Sequence, residues 1–149
     1  MKKSLFTVLG AFILFSCNQN TNNSESQSDV SHSMSADTSL TLNNGAKWKS
    51  DSITNHNLIR LKVTANMFRV EPFPSQANYQ VLGNDLANDV DTMLQQCKMK
   101  GADHEALHQW LTPILNQSTR LKNITDTAEG RKIFNAVDRR ISIFDQYFE

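Results

Sequence analysis

Residues whose side chains bind soft or borderline metal ions are concentrated in one stretch of the chain, Gln95 to Leu115. A thiolate, a thioether and two imidazoles occur there within a dozen residues, and these donors favour Cu(I) and tolerate Zn(II). The pattern predicts a site for one Cu(I) or Zn(II) ion and no other cofactor. The four candidate metal ligands are Cys97, Met99, His104 and His108.

Two antiparallel helices that meet in a short turn are predicted to position these ligands. The second helix of the chain, predicted over about 75–98, has an apolar stripe that ends in Cys97. Asp103 is predicted to cap the third helix, on which His104 and His108 lie one turn apart on the same face. Only six residues separate Cys97 from His104, so we expect the thiol and the imidazoles to face each other across the turn.

The same stretch contains a literal H-E-x-x-H sequence between His104 and His108. In zinc hydrolases this motif supplies two zinc ligands and a general base. Glu105 would be that base, and Glu129 is the nominal third ligand, although its position also suits a helix start. The β-sheet that normally supports such a motif is not predicted, so we interpret the motif as fortuitous and predict no enzyme. Three alternatives stay open: an envelope lipoprotein whose turn is purely structural and binds no metal, a zinc hydrolase that uses this motif, and a nucleophilic cysteine–histidine pair, for which no orienting partner is predicted.

The turn resembles a segment of small bacterial helical lipoproteins of unassigned function, C-x-M-x-G-x-x-H-x-x-L-H-x-W/F-L-x-P. A looser likeness covers Gly45 to Trp48. The resemblance implies a role as an accessory to copper or heavy-metal handling. The matching positions are Cys97, Met99, Gly101, His104, Leu107, His108, Trp110, Leu111 and Pro113.

Residues 1–16 have the features of a bacterial lipoprotein signal peptide. Two lysines precede an apolar run, Leu5 to Phe15, that is too short to span a bilayer. The run leads into Leu14-Phe15-Ser16-Cys17, which resembles a lipobox, so Cys17 is predicted to be acylated and to anchor the protein to a membrane surface. Asn18 follows it, and by resemblance to Gram-negative lipoproteins this predicts the outer membrane, on a face that the sequence leaves open. The alternative is an ordinary leader that is cleaved nearby.

Residues 17–39 are predicted to be a flexible tether, and residues 40–149 a single folded domain. The tether is rich in Ser and Asn and has too few apolar residues to form a core. Lys plus Arg and Asp plus Glu both count 15, so no excess of positive charge indicates a nucleic-acid partner. The sequence therefore predicts an envelope lipoprotein with a non-catalytic metal-binding role and an unidentified protein partner.

The domain is predicted to be all-α, an up-down-up-down bundle of four amphipathic helices. The first helix is predicted from Asp51 or Ser52 to about Val70, and the last begins with a capping pattern at Asp126. Pro113 lies inside the third helix, where it is expected to kink or loosen it. The predicted core positions of the first helix are Leu58, Leu61, Ala65 and Phe68, widened by Ile53, Val63 and Met67, and those of the last are Phe134, Val137, Ile141, Phe144 and Phe148.

Overall fold

The structure is a computed structural model that describes residues 40–149, so the signal peptide, Cys17 and the tether lie outside the described residues. In the described part the chain is helical, which confirms the predicted all-α bundle. Consecutive long helices pack against each other, and the first also packs against the fourth. Within residues 40–149 no helix is long and apolar enough to cross a membrane. The helices are α1 (Ser52–Arg69), α2 (Gln76–Gln96), α3 (Gly101–Lys122), α4 (Thr127–Ser142) and the short α5 (Phe144–Tyr147).

Side chains at the helix starts explain where three of the helices begin. Asp51 caps α1 by accepting a hydrogen bond from the Thr54 amide at 2.6 Å. Ser75 caps α2 in a capping box with Asn78, and Asp126 caps α4 by accepting from the Ala128 amide. These local contacts satisfy amide groups that have no partner inside the helix. The predicted starts of α1, α2 and α4 are therefore confirmed.

The turn between α2 and α3 differs from the prediction at both of its ends. The second helix ends at Gln96, and Cys97 is its C-cap with extended backbone angles, rather than a residue of its last turn. The third helix already begins at Gly101, whose φ of +65° suits glycine. Asp103 therefore lies inside the first turn of α3, where its carboxylate accepts from the Lys49 amide at 2.9 Å and does not cap the helix.

Pro113 lies within a helix that continues to Lys122, and a buried arginine compensates for its missing amide. Proline cannot donate to the carbonyl four residues earlier, which is that of Gln109. Arg140 of α4 donates to this carbonyl at 2.9 Å and to the Trp110 carbonyl at 3.2 Å. The Trp110 indole donates back to the Arg140 carbonyl at 2.9 Å. These contacts join α3 to α4 at the position of the proline.

The core contains most of the apolar positions that the helical spacing predicts, but two positions on α1 were wrong. Val63 is 49% exposed and Met67 is 71% exposed, because they lie on the outer side of the helix. The last helix is interrupted at Ile143, yet Phe144 and Phe148 are still buried and stack with ring centroids 4.5 Å apart. The predicted seam of the last helix is thus preserved across the break.

The first described residues lie beside the C-terminus. A turn at Asn44 and Gly45, both with positive φ, precedes Trp48. The Trp48 amide donates to the Tyr147 carbonyl at 2.8 Å, and its own carbonyl accepts from the Glu149 amide at 3.0 Å. The next residue of this segment, Lys49, donates its amide to Asp103 in the first turn of α3.

Candidate metal centre

Two carboxylates connect the turn that carries the candidate ligands to the segment around the start of α1. Asp51, at the start of α1, accepts from the Lys98 amide at 3.2 Å as well as from its cap partner Thr54. Asp103 accepts from the Lys49 amide on the other side of the turn. Burial acts to raise the pKa of Asp51, but hydrogen bonds from Thr54, Lys98 and Ile53 outweigh it and lower that pKa. The charged form of Asp51 thus holds the residue that follows Cys97.

Cys97, His104 and His108 form a chain of side-chain contacts. The Cys97 Sγ atom lies 3.5 Å from Nδ1 of His104. The opposite ring nitrogen of His104, Nε2, lies 2.9 Å from Nε2 of His108. The two imidazole rings meet edge to face, with centroids 4.4 Å apart. The structure therefore brings together three of the four predicted ligands, with His104 in the middle.

The first contact has the dimensions of a metal chelate. With metal–sulfur and metal–nitrogen bonds of about 2.3 and 2.05 Å, two ligands of a tetrahedral ion lie about 3.5 Å apart. The separation between Cys97 Sγ and His104 Nδ1 has this value, which is also that of a hydrogen bond to sulfur. Two imidazole nitrogens on one such ion lie about 3.3 Å apart, and the 2.9 Å between His104 and His108 is a hydrogen-bond distance instead. The arrangement fits one two-ligand metal position with a second histidine hydrogen-bonded behind it.

The three side chains do not point at one common position, because His104 contacts Cys97 through Nδ1 and His108 through Nε2. In the part of the chain that the structure describes, no group of three or more His, Cys, Asp or Glu residues surrounds a metal position. The predicted site with all four ligands on one ion stays a prediction, and it requires the imidazole of His104 or His108 to reorient.

Met99, the fourth predicted ligand, contacts α1. Its sulfur accepts a hydrogen bond from the hydroxyl of Thr54 at 3.4 Å, and Thr54 is fully buried. The half-buried Met99 side chain packs against the hydrophobic core. It takes no part in the hydrogen-bonded chain of Cys97, His104 and His108, and its observed role is to hold the turn against α1.

The H-E-x-x-H motif lies in the first two turns of α3, but its nominal third zinc ligand is far away. Glu129 forms an ion pair with Arg120 at 2.6 Å, and Arg120 lies twelve residues beyond His108 on α3. At 1.5 Å per residue this corresponds to about 18 Å along the helix. The nomination of Glu129 was therefore wrong, because α4 begins at the opposite end of the bundle from the histidines.

A surface cleft of about 440 Å³ borders Cys97 between the start of α1 and the end of α2. It gives a ligand access to the thiol, which is half-buried and forms no disulfide in the structure. Sequence reasoning missed His56, which lines this cleft, and the contact between Asp51 and the turn. The helix-cap pattern was the only sequence signal at Asp51. That pattern does not indicate that the Asp51 carboxylate also accepts a hydrogen bond from the Lys98 amide. The cleft is lined by Ser52, Ile53, His56, Gln95, Gln96, Cys97 and Lys98.

Comparison of the chain with known proteins gives no relative from which a function could be transferred. No protein-family model matches the chain, and no match is found among the curated proteins or the solved structures.

Proposed function

We propose that the protein is a lipid-anchored component of the bacterial cell envelope that binds Cu(I) at the turn between α2 and α3 and has no catalytic role. Lipidation at Cys17 and placement at the outer membrane belong to this proposal. The observation that carries the metal site is the 3.5 Å separation between Cys97 Sγ and His104 Nδ1, which suits two ligands of one ion.

The position of His108 supports Nδ1 of His104 as the metal-binding atom. A histidine that binds a metal commonly donates its other ring N–H to a neighbouring acceptor, which fixes the tautomer. When Nε2 of His104 carries the proton and donates to Nε2 of His108, at the observed 2.9 Å, Nδ1 keeps a free lone pair directed at Cys97. In this arrangement Cys97 and His104 are the ligands, and His108 orients His104.

The small number of converging ligands favours Cu(I) over Zn(II). A thiolate is a soft ligand that selects Cu(I), and at the observed 3.5 Å between Cys97 Sγ and His104 Nδ1 the ion would be tetrahedral, with two positions left for ligands from outside the chain. Structural zinc sites take four protein ligands. A two-ligand site that opens to the cleft beside Cys97 also suits a protein that accepts and releases its metal.

A Cu(I) titration under anaerobic conditions tests the proposal. The mature protein should compete with a chromophoric Cu(I) chelator for about one equivalent of metal. We expect Cys97→Ser and His104→Ala to lower the Cu(I) affinity at least 100-fold, and His108→Ala to lower it about tenfold, as expected for a residue that orients a ligand.

Two matched controls separate this site from alternatives. His56→Ala removes an imidazole that lines the same cleft and should leave the affinity unchanged. Met99→Leu should also leave it unchanged, whereas a large loss would restore Met99 as a ligand. Cu(I) binding that persists in Cys97→Ser would refute the proposed site.

The chain of contacts also favours a second function, in which Cys97 is a reactive thiol. The order Cys97, His104, His108 is that of a nucleophile, its base and a residue that orients the base. The amide of Lys98, the residue that follows the nucleophile, already donates to Asp51, so thiol–disulfide exchange, which needs no oxyanion donor, fits better than acyl transfer. If Cys97 is reactive, a disulfide reagent should modify Cys97 at least tenfold faster in the native chain than in the His104→Ala variant. Equal rates of modification would exclude this function.

A further inference from the structure

The outer side of α1 carries a second apolar stripe that is separate from the stripe in the core. Ile59, Val63, Met67 and Val70 follow each other at helical spacing, and between 49% and 79% of each residue is exposed. The core residues of α1, such as Leu61, lie on the opposite side of the same helix. Isolated exposed apolar residues are ordinary, but four along one face of a single helix form a continuous surface.

Two more exposed apolar residues follow α1 in the chain. Phe73, in the connection to α2, is 89% exposed, and Val81 of α2 is 58% exposed. Met67 and Val81 line one groove of about 220 Å³ between the two helices. The six side chains together expose roughly 700 Å² of apolar surface, whereas the largest patch on a typical monomer is about 300–600 Å². We call these six residues the α1 patch: Ile59, Val63, Met67, Val70, Phe73 and Val81.

The charges beside the α1 patch distinguish a protein occupant from a membrane. Helices that lie on membranes place basic side chains next to the apolar face, where they meet anionic headgroups. The basic residues of α1 are instead engaged in ion pairs with aspartates of the same chain. These pairs are Arg60 with Asp89, Lys62 with Asp145 and Arg69 with Asp138.

We propose that the α1 patch binds a second copy of this chain, with the two α1 helices antiparallel across a two-fold axis. The positions of the stripe along α1 are nearly symmetric about the level of Ala65, which itself faces the core. In an antiparallel pair Ile59 would therefore face Val70 of the second copy, and Val63 would face Met67 of the second copy. A two-fold interface requires a surface that is complementary to itself, and the four residues that would pair along α1 are uncharged, while Glu71 and Asp85 line the groove between Met67 and Val81. The roughly 700 Å² available on each copy is close to the about 800 Å² per partner of a stable interface. This proposal does not depend on the metal site.

Crosslinking of the full-length chain in membranes tests this interface. Val63→Cys, made in a Cys97→Ser background, places a thiol near the two-fold axis. A bis-maleimide with a span of about 8 Å reaches the second copy, because packed helices lie 8–10 Å apart. We expect a product with twice the mass of one chain, at a yield at least fivefold above that of Asn135→Cys, an exposed position on α4. Equal yields at the two positions, or no product from Val63→Cys, would overturn the proposal.

A second variant excludes an accidental collision. Adding Met67→Glu to Val63→Cys places two carboxylates near the axis, and the crosslinked yield should fall at least fivefold. Met67 is exposed, so the fold should tolerate the change, and circular dichroism would verify that it does. An unchanged yield would contradict the interface. If the unlipidated full-length chain sediments as a monomer and instead binds vesicles of anionic lipid, a membrane is the occupant and the proposal is wrong.

Discussion

Asp51 joins the start of α1 to the turn that carries Cys97, and two substitutions separate these two roles. One carboxylate oxygen accepts from the Thr54 amide at 2.6 Å and the other from the Lys98 amide at 3.2 Å. Asp51→Ala removes both acceptors. Asp51→Asn keeps one acceptor oxygen for the cap, since Asn caps helices about as well as Asp, but turns an amide NH₂ toward the Lys98 amide.

The expected magnitudes follow from these contacts. Loss of an N-cap lowers the free energy of unfolding by about 1 kcal/mol, and loss of the Lys98 contact lowers it by about 1 kcal/mol more. We therefore expect about 2 kcal/mol for Asp51→Ala and about 1 kcal/mol for Asp51→Asn. Because both variants release the backbone next to Cys97, both should lower the Cu(I) affinity about tenfold, the effect of losing a contact that orients a ligand.

Urea unfolding and the Cu(I) competition assay measure the two effects separately. Equal losses of stability in the two variants would show that the cap is not what Asp51 contributes. An unchanged Cu(I) affinity in Asp51→Asn would refute the coupling between Asp51 and the metal site.

The pH dependence of stability gives an independent check of the same contacts. The folded pKa of Asp51 is below its ordinary 3.8, so the charged carboxylate contributes its full stabilisation above pH 3.8. That contribution is lost as the pH falls through the folded pKa. The difference in stability between the native chain and Asp51→Ala should therefore shrink below about pH 4, and a difference that stays constant down to pH 2 would contradict this assignment.

Three further predictions concern the bundle and its anchor. Arg140→Met removes the donors to two α3 carbonyls and should lower the free energy of unfolding by about 3 kcal/mol. The control Arg139→Met, at an exposed neighbouring position, should lower it by less than about 0.5 kcal/mol. Equal losses in urea unfolding would contradict this prediction. Gly83→Ala places a Cβ atom 2.6 Å from the backbone of α3 and should cost about 2 kcal/mol, so a stability within about 0.5 kcal/mol of the native chain would show that the helices separate readily. Cys17→Ser should move the protein from the membrane fraction to the soluble fraction after ultracentrifugation, and continued membrane association would argue against the lipid anchor.

Helix starts were predictable because their chemistry is local. The cap residues Asp51, Ser75 and Asp126 act within three positions of themselves, so the sequence contains both partners of each contact. Val63 and Met67 were misplaced because the burial of a helix face depends on contacts with other helices, which are not local in the sequence. The first helix has two apolar stripes, and helical spacing alone does not distinguish the one that meets the core from the one that faces outward.

The candidate site was predictable as a group of residues and not as a geometry. Cys97, His104 and His108 were expected together because a short turn between antiparallel helices brings them together, and the structure shows them in contact. Which ring nitrogen of His104 faces which neighbour depends on side-chain torsions and on where α3 begins. The third helix begins at Gly101 and not at a cap on Asp103, and this placement is fixed by contacts with Asp51 and Lys49 that are distant in sequence.

The proline that follows the histidines makes their positioning depend on α4. Pro113 leaves the Gln109 carbonyl, next to His108, without a helical donor, and Arg140 supplies that donor from α4. We therefore expect Arg140→Met to weaken Cu(I) binding at least threefold, because it loosens the turn of α3 beside His108.

Gly83→Ala provides the control for this effect. It destabilises the bundle by a similar amount, but its contacts are with Ser118, Leu121 and Lys122 at the other end of α3. It should leave the Cu(I) affinity of the folded protein unchanged. If both variants weakened binding equally, the loss would reflect global stability, and Arg140 would have no role in positioning His108. If only Arg140→Met weakened Cu(I) binding, the residues that position the metal ligands would include both Asp51 at the start of α1 and Arg140 on α4.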